Sequence, residues 1–260
     1  MKTTDVKKSL LEASIHDGDT LMIHGDAAVA YQLENEQFKK RLKIFFYEVI
    51  DYLGPNGTLI IPTFSYSFTK NEVFDISKTK SCLGSFSEFF RNFPGVIRSR
   101  HPIFSVVAIG KNQKLFADSH INDCFGRNTC FDLLHKLNGK VMNLGCNFDI
   151  TYTHYVEQKI GVSYRYFKNF NGTIKIGKDT LRCSTSYFVG KPTIKYKQSL
   201  NRLKNILLSK NKLRIVPFGR LASYTVSCKN FYKYAKLNID KNKYFLIQEG
   251  DIDEPGFRNA

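Results

Sequence analysis

The sequence predicts an α/β fold: a single domain with a central mixed, largely parallel sheet flanked by helices, plus an antiparallel hairpin extension. Three observations predict it. Strand-type and helix-type hydrophobic patterns alternate along the chain. A strand, a helix and a second strand fit between Thr20 and Pro62, the arrangement of a βαβ unit, whose two strands lie parallel with the helix on their face. The chain has 260 residues, 42% hydrophobic and 24% charged, enough to bury one sizeable core. No internal repeat, low-complexity stretch or Pro/Gly/Ser linker divides it, so residues 1–260 read as one domain.

The elements follow in order. Val6, Leu10 and Leu11 mark a short helix over 3–15, and Thr20-Leu21-Met22-Ile23-His24 reads as a buried strand ending at Gly25. From Glu36 to Leu53, apolar Phe38, Leu42, Phe45, Phe46, Val49, Ile50 and Leu53 recur at helical spacing, and Gly54-Pro55-Asn56-Gly57 stops the helix. Thr58–Pro62 is the next strand. Strands are further expected at 103–109 and 140–144, and helices at 85–91, 128–137 and 153–161. Residues 172–184 alternate around Gly177-Lys178-Asp179 and predict a hairpin. The remainder reads as helix 199–209, strands 213–217 and 221–227, helix 229–237 and a last strand at 244–247.

Composition narrows the function. No run of 18 apolar residues occurs, so no membrane span is expected, and the polar N-terminus lacks a secretory apolar region. The six cysteines form no C-x-x-C pair, which predicts reduced thiols in a cytoplasmic protein and no structural zinc. Lys and Arg exceed Asp and Glu by 39 to 23, a formal charge of +16. Between Lys191 and Lys243 there are 14 Lys/Arg against one acid, Asp240. This excess suits an anionic partner, though codon bias produces lysines too. No recognised nucleic-acid motif accompanies it, and tryptophan is absent.

Three clusters are candidates for chemistry. In Thr151-Tyr152-Thr153-His154-Tyr155-Val156-Glu157, a helix places His154 and Glu157 on one face. The carboxylate can then fix one imidazole nitrogen and leave the other as a general base, although an incidental surface pair has the same spacing. Arg98-Ser99-Arg100-His101-Pro102 puts guanidiniums and an imidazole in a turn, suited to phosphate or simply to solvent. Thr63-Phe64-Ser65-Tyr66-Ser67-Phe68 follows a strand and either shapes a pocket or caps the sheet. G-x-S-x-G, Walker A and G-x-G-x-x-G are all absent, and a Cys130 or Cys146 nucleophile is a minor alternative to buried thiols.

Taken in order, these segments resemble the aminoglycoside 3-N-acetyltransferase family. The matching pieces are Met22-Ile23-His24, the stretch from Gly54 to Thr63, Arg98 to Pro102 with Ser105, Gly126-Arg127-Asn128-Thr129, and Thr151 to Glu157. The resemblance implies an acyl-CoA-dependent N-acyltransferase without a metal, and a homodimer. It implies His154 as base, Glu157 as its orienting partner and Thr153 beside them. It implies Thr63, Ser65, Arg98, Ser99 and His101 as the loops facing CoA, and Asp26, Tyr66, Asn128 and Thr129 as acceptor contacts. The sequence departs from the family at Gly25-Asp26-Ala27-Ala28, where family members carry serines, and at Cys130, where the family has proline.

The Thr63–Phe68 variant is similar to sugar N-acyltransferases of surface-polysaccharide (O-antigen lipopolysaccharide) biosynthesis. With the charge of +16, that resemblance leads to an expected acceptor: the amine of a nucleotide-linked (dTDP-type) deoxy-amino sugar, acylated with an acetyl or 3-hydroxybutanoyl-like group. The alternatives are an aminoglycoside acetyltransferase and, outside enzymes, a nucleic-acid-binding protein.

Overall fold

The computed structural model describes residues 4–33 and 37–248. In chain order the elements are α1 (Thr4–Glu12), β1 (Thr20–Gly25), α2 (Phe38–Leu53), β2 (Thr58–Pro62), β3 (Phe74–Asp75), α3 (Ser85–Arg91), β4 (Ile97–Arg98), β5 (Val106–Gly110), α4 (Gln113–Ala117), α5 (Cys130–Lys136), β6 (Lys140–Leu144), α6 (Tyr152–Ile160), β7 (Arg165–Ile176), β8 (Asp179–Gly190), β9 (Lys197–Gln198), α7 (Asn201–Ser209), β10 (Leu213–Phe218), β11 (Leu221–Ser227), α8 (Cys228–Ile239) and β12 (Ile247–Gln248). The main sheet has the order β10-β11-β6-β1-β2-β5-β4. Its centre, β6-β1-β2, is parallel, and both flanks are antiparallel. The flank geometry follows from connection length: only Gly219-Arg220 separates β10 from β11, too short for a parallel crossover, and Gly219 supplies the positive φ of +62° that the turn needs.

Alternation along the central strands sends side chains to two cores. Leu21, Ile23, Leu59 and Ile61 face α1, α2 and α3; Met22, Ile60, Val141 and Val226 face α5, α6, α7, α8 and the hairpin. From α2, Leu42, Phe45, Phe46, Val49 and Leu53 are all buried as the helical spacing predicts, each contributing about 1.5–3 kcal/mol of apolar burial. Ile50 is half-buried against the same core; the Phe38 side chain lies outside the described residues.

Three expectations are adjusted. The strand expected at 103–109 starts at Val106, because the His101 imidazole takes the backbone N–H groups of Ile103 and Phe104 that a ladder would otherwise use. The last strand shrinks to Ile247–Gln248, since the Asn242 side chain accepts from the Tyr244 N–H and turns the chain there. The hairpin is longer than its alternation suggests: β7 and β8 pair from Arg165↔Gly190 to Ile176↔Asp179, with β3 added in parallel at the far edge.

Candidate active site

Parallel β1 and β6 end side by side, with His24 paired to Asn143 and Gly25 to Leu144. Beyond them lies the crevice where an open α/β sheet holds ligands. Gly145 turns the chain out of β6 with φ +74°, and a Cβ there would lie 3.0 Å from Leu221. The Asn143 amide then donates to the carbonyls of Asn147 (2.7 Å) and Asp149 (2.8 Å), folding the loop back over the strand end and setting the start of α6.

On α6, His154 Nδ1 lies 2.8 Å from Glu157 Oε2. An ionised carboxylate has no proton to give, so Nδ1 donates and Nε2 keeps its lone pair. Glu157 is fully buried and His154 is 19% exposed. Tyr164 donates to Glu157 Oε1 (2.9 Å), and Arg165 Nε sits 2.8 Å from Oε2 in a close ion pair that is not aligned as a hydrogen bond. Burial pulls the His154 imidazole below 6.5; Arg165 adds to this, while Glu157 and Asp149 pull the other way. The imidazole is therefore neutral near pH 7, oriented, and able to accept a proton at Nε2.

A cleft of about 320 Å³ opens at the strand ends, lined by His24, Ser87, Asn143, Cys146, Asn147 and Asp149 among others. Asp149 connects the cleft to His154: it is exposed, lines the cleft, and its charge is felt by His154. Asp26 stands exposed beside Cys146, with one oxygen capping the next turn by accepting from the Ala28 N–H. Two polar atoms of this corner, His24 Nε2 and Asn143 Oδ1, are buried without a protein partner among the described residues. A larger groove, about 520 Å³, runs along α2 and α3 past Lys43, Phe89 and Phe93; the carboxylate in its lining, Glu88, is paired with Arg91.

The chain matches the aminoglycoside 3-N-acetyltransferase family over residues 36–239. It belongs to that family. Aminoglycoside N(3)-acetyltransferase IV of Salmonella sp is 32% identical over 115 residues, 43% of this chain and 43% of that protein, so the match spans less than half of that relative. The fold is that of aminoglycoside acetyltransferase AAC(3)-Xa (19% identity, TM-score 0.78, 93% of each chain). It is also that of AAC-IIIb, solved as a binary complex with CoASH (19% identity, TM-score 0.80, 93% of this chain and 97% of that one). AAC-VIa, solved bound to sisomicin, has it too (17% identity, TM-score 0.77, 93% and 98%). The expected enzyme class, an acyl-CoA-dependent N-acyltransferase, is the class of this family.

Within the family frame, the residues expected to face CoA have their polar groups occupied inside the protein. Arg98 is 9% exposed and donates to the carbonyls of Ile76, Thr79 and Thr63 and to Ser105 Oγ. His101 is 3% exposed; its Nδ1 accepts from two backbone N–H groups, which leaves Nε2–H donating to the Asp123 carbonyl (3.2 Å). Ser99 Oγ accepts from the Val106 N–H, Thr63 Oγ1 donates to the Ser105 carbonyl, and Ser65 Oγ donates to the Pro102 carbonyl. The side-chain polar groups of all five are bonded within the protein. Asn128 and Thr129 are bonded within the protein as well. Thr129 is the N-cap of α5, and Asn128, at φ +60°, accepts from Lys136 and donates its N–H to Asp132. Tyr66 packs its ring on Phe104 (5.4 Å) and is half-buried. Thr153 precedes His154 on α6, with its hydroxyl buried and unpartnered among the described residues.

Sequence reasoning missed Asn143, Asp149, Tyr164 and Arg165. None sits in a spaced motif with His154; the loop and the hairpin bring them there. The departure at Gly25 has a cause: the Phe86 ring fills the space in front of it, 2.5 Å from where a Cβ would stand. The six cysteines are all free, and burial raises the Cys130 and Cys146 thiols, against a nucleophilic role.

Proposed function

We propose that this chain transfers a short acyl group, acetyl by default, from acyl-CoA to a primary amine of an aminoglycoside-type amino sugar, with His154 as general base. The neutral amine attacks the thioester carbonyl and Nε2 takes its proton. The tetrahedral adduct then collapses, expelling the CoA thiolate, which recovers the proton from the imidazolium. Glu157 stabilises that imidazolium, as a carboxylate does for a transiently protonated base.

The observation that carries the choice of acceptor is local charge. The chain is +16 overall, yet exposed Asp149 lines the cleft and its charge reaches His154, and exposed Asp26 stands beside Cys146 of the same lining. A cleft focuses the field of its own lining, so the groups within a Debye length of about 10 Å outweigh distant lysines. An amino sugar carrying several ammonium groups is drawn there. This departs from the nucleotide-linked sugar that net charge suggests, and it agrees with relatives solved with sisomicin and with apramycin. One observation favours the anionic acceptor: Lys204 lies over the Tyr224 ring (4.6 Å), which packs on Phe148 of the loop before α6, so part of the basic segment borders the site.

The test is thiol release from acetyl-CoA and 3-hydroxybutanoyl-CoA with aminoglycosides and, separately, with dTDP-linked amino sugars. Turnover is expected with aminoglycosides, with Asp149→Asn raising KM about tenfold, the loss of one charged hydrogen bond. Turnover only with the nucleotide sugars overturns this acceptor and favours the second.

A further inference from the structure

The buried carboxylate of Glu157 poses a question of charge balance. A carboxylate and an imidazole buried together can reach neutrality by binding one proton, and the imidazolium–carboxylate pair that results has no free base left. Here a third group stands on the same carboxylate. The Arg165 side chain, 7% exposed, places Nε 2.8 Å from Glu157 Oε2, and its Nη1 donates to the Phe188 carbonyl across the hairpin (3.0 Å). The charged and titratable groups around the cluster come from several elements: Glu157 from α6, Asp149 from the preceding loop, Tyr164 just before β7, Arg165 on β7, Tyr187 on β8, and Tyr196 beyond the hairpin. Of these, only Arg165 is a cation. A guanidinium does not release its proton in a protein, so its charge is fixed.

We propose that Arg165 is a positioning residue acting through Glu157: its fixed charge neutralises the buried carboxylate, so that His154 is left unprotonated at rest and the base is open at neutral pH. The proposal rests on the reading of His154 as general base. Glu157, Arg165 and neutral His154 sum to zero charge at rest and to +1 only while the imidazole holds the amine's proton. The directions of titration agree. Burial pushes the Glu157 carboxyl up, and Arg165, followed by His154 and Tyr164, more than offsets this. For His154, burial and then Arg165 are the two causes that favour the neutral ring.

The experiment compares Arg165→Met and Arg165→Lys, measuring kcat/KM against pH and, by NMR, the titration of the His154 ring. In Arg165→Met the acidic limb and the ring titration both move up by about one pH unit or more, while activity at the alkaline plateau stays within about tenfold of the parent. Arg165→Lys, which keeps charge but loses the planar fork, restores the limb to near its original position. A limb that stays in place in Arg165→Met, or equal losses at every pH in both variants, would overturn the proposal and leave Arg165 a packing residue. Should Arg165→Met not fold, Arg165→Lys is compared with Tyr164→Phe, which removes a neutral bond from the same carboxylate. Both are then expected to keep the limb, and an upward move in Arg165→Lys overturns the idea. The two readings fail separately: if His154→Ala keeps its kcat the base assignment falls, whereas the ring titration reads the charge of Arg165 without any turnover.

Discussion

Arg98 and Arg165 are both buried guanidiniums, yet they are wired differently. Every bond of Arg98 ends on a neutral oxygen: three carbonyls and Ser105 Oγ. Burial, and secondarily Arg91, pulls it down to about 10, with Glu88 and Asp75 only partly opposing. Arg165 makes one carbonyl bond and faces a carboxylate that also holds a histidine. The first arrangement fastens the segments around residues 63, 76, 79 and 105 together. The second is the one proposed above to set a protonation state. Residue type alone does not separate them; the acceptor does: carbonyls hold one guanidinium in a loop, and a carboxylate shared with a histidine faces the other.

The largest expected effect tests the working cluster. His154→Ala should lower kcat by about 10²–10⁴, the usual share of general acid–base catalysis, while CoA binding measured by calorimetry stays within about twofold. An unchanged kcat would remove His154 from the chemistry. The matching break in the fastening cluster is Arg98→Met. It strands the Ile76 and Thr79 carbonyls, while the Thr63 carbonyl keeps its bond from Ser105 Oγ (2.7 Å); at about 1–3 kcal/mol for each group left unsatisfied, urea unfolding should show a loss of about 2 kcal/mol or more. The folded fraction should keep its kcat within a few-fold; a collapse of kcat at unchanged stability would return Arg98 to the reacting groups.

Acid sharpens the contrast further. Burial pulls His101 down to about 4, with its bond to the Asp123 carbonyl opposing. An unfolded chain takes up that proton at 6.5 and the folded one does not until about 4. The contribution is thus intact above pH 6.5 and is lost as pH falls, reaching about 3 kcal/mol for this one residue below pH 4. Urea midpoints at about pH 7 and about pH 4.5 measure it. His101→Asn, which keeps an acceptor but does not titrate, should flatten the slope.

These contrasts also explain what the sequence made legible. Helical spacing put His154 and Glu157 on one face, and their contact is local, three residues apart. The βαβ pattern gave the parallel centre, and the Gly177 turn gave the hairpin. Arg98 and His101 looked like a phosphate site because sequence displays residue types and hides their partners, which lie up to 35 residues away at Thr63. Arg165 and Tyr164 were invisible for the same reason. Their link to Glu157 depends on how the hairpin swings back over α6, and no periodicity encodes that. The acceptor proposed above departs from the sequence expectation on a related point: net charge sums the whole chain, whereas the proposal weighs the local carboxylates Asp149 and Asp26.

The smallest expected effect concerns two threonines, both singled out in the sequence, whose hydroxyls meet opposite fates. Thr129 Oγ1 donates to the Gly126 carbonyl (2.8 Å) and caps α5 through the Asp132 N–H (3.5 Å). Thr153 Oγ1, one residue before His154, is buried with no protein partner among the described residues. Thr129→Ala should therefore cost about 1 kcal/mol, the usual value of an N-cap, and leave kcat alone. Thr153→Val, of nearly the same shape, removes a buried hydroxyl that satisfies nothing, so urea unfolding should show stability unchanged or slightly raised. If Thr153→Val instead lowers kcat without touching stability, its hydroxyl meets the substrate, and Thr153 belongs with His154. If Thr129→Ala does so, the cap reading fails, and the loop before α5 is an acceptor contact after all.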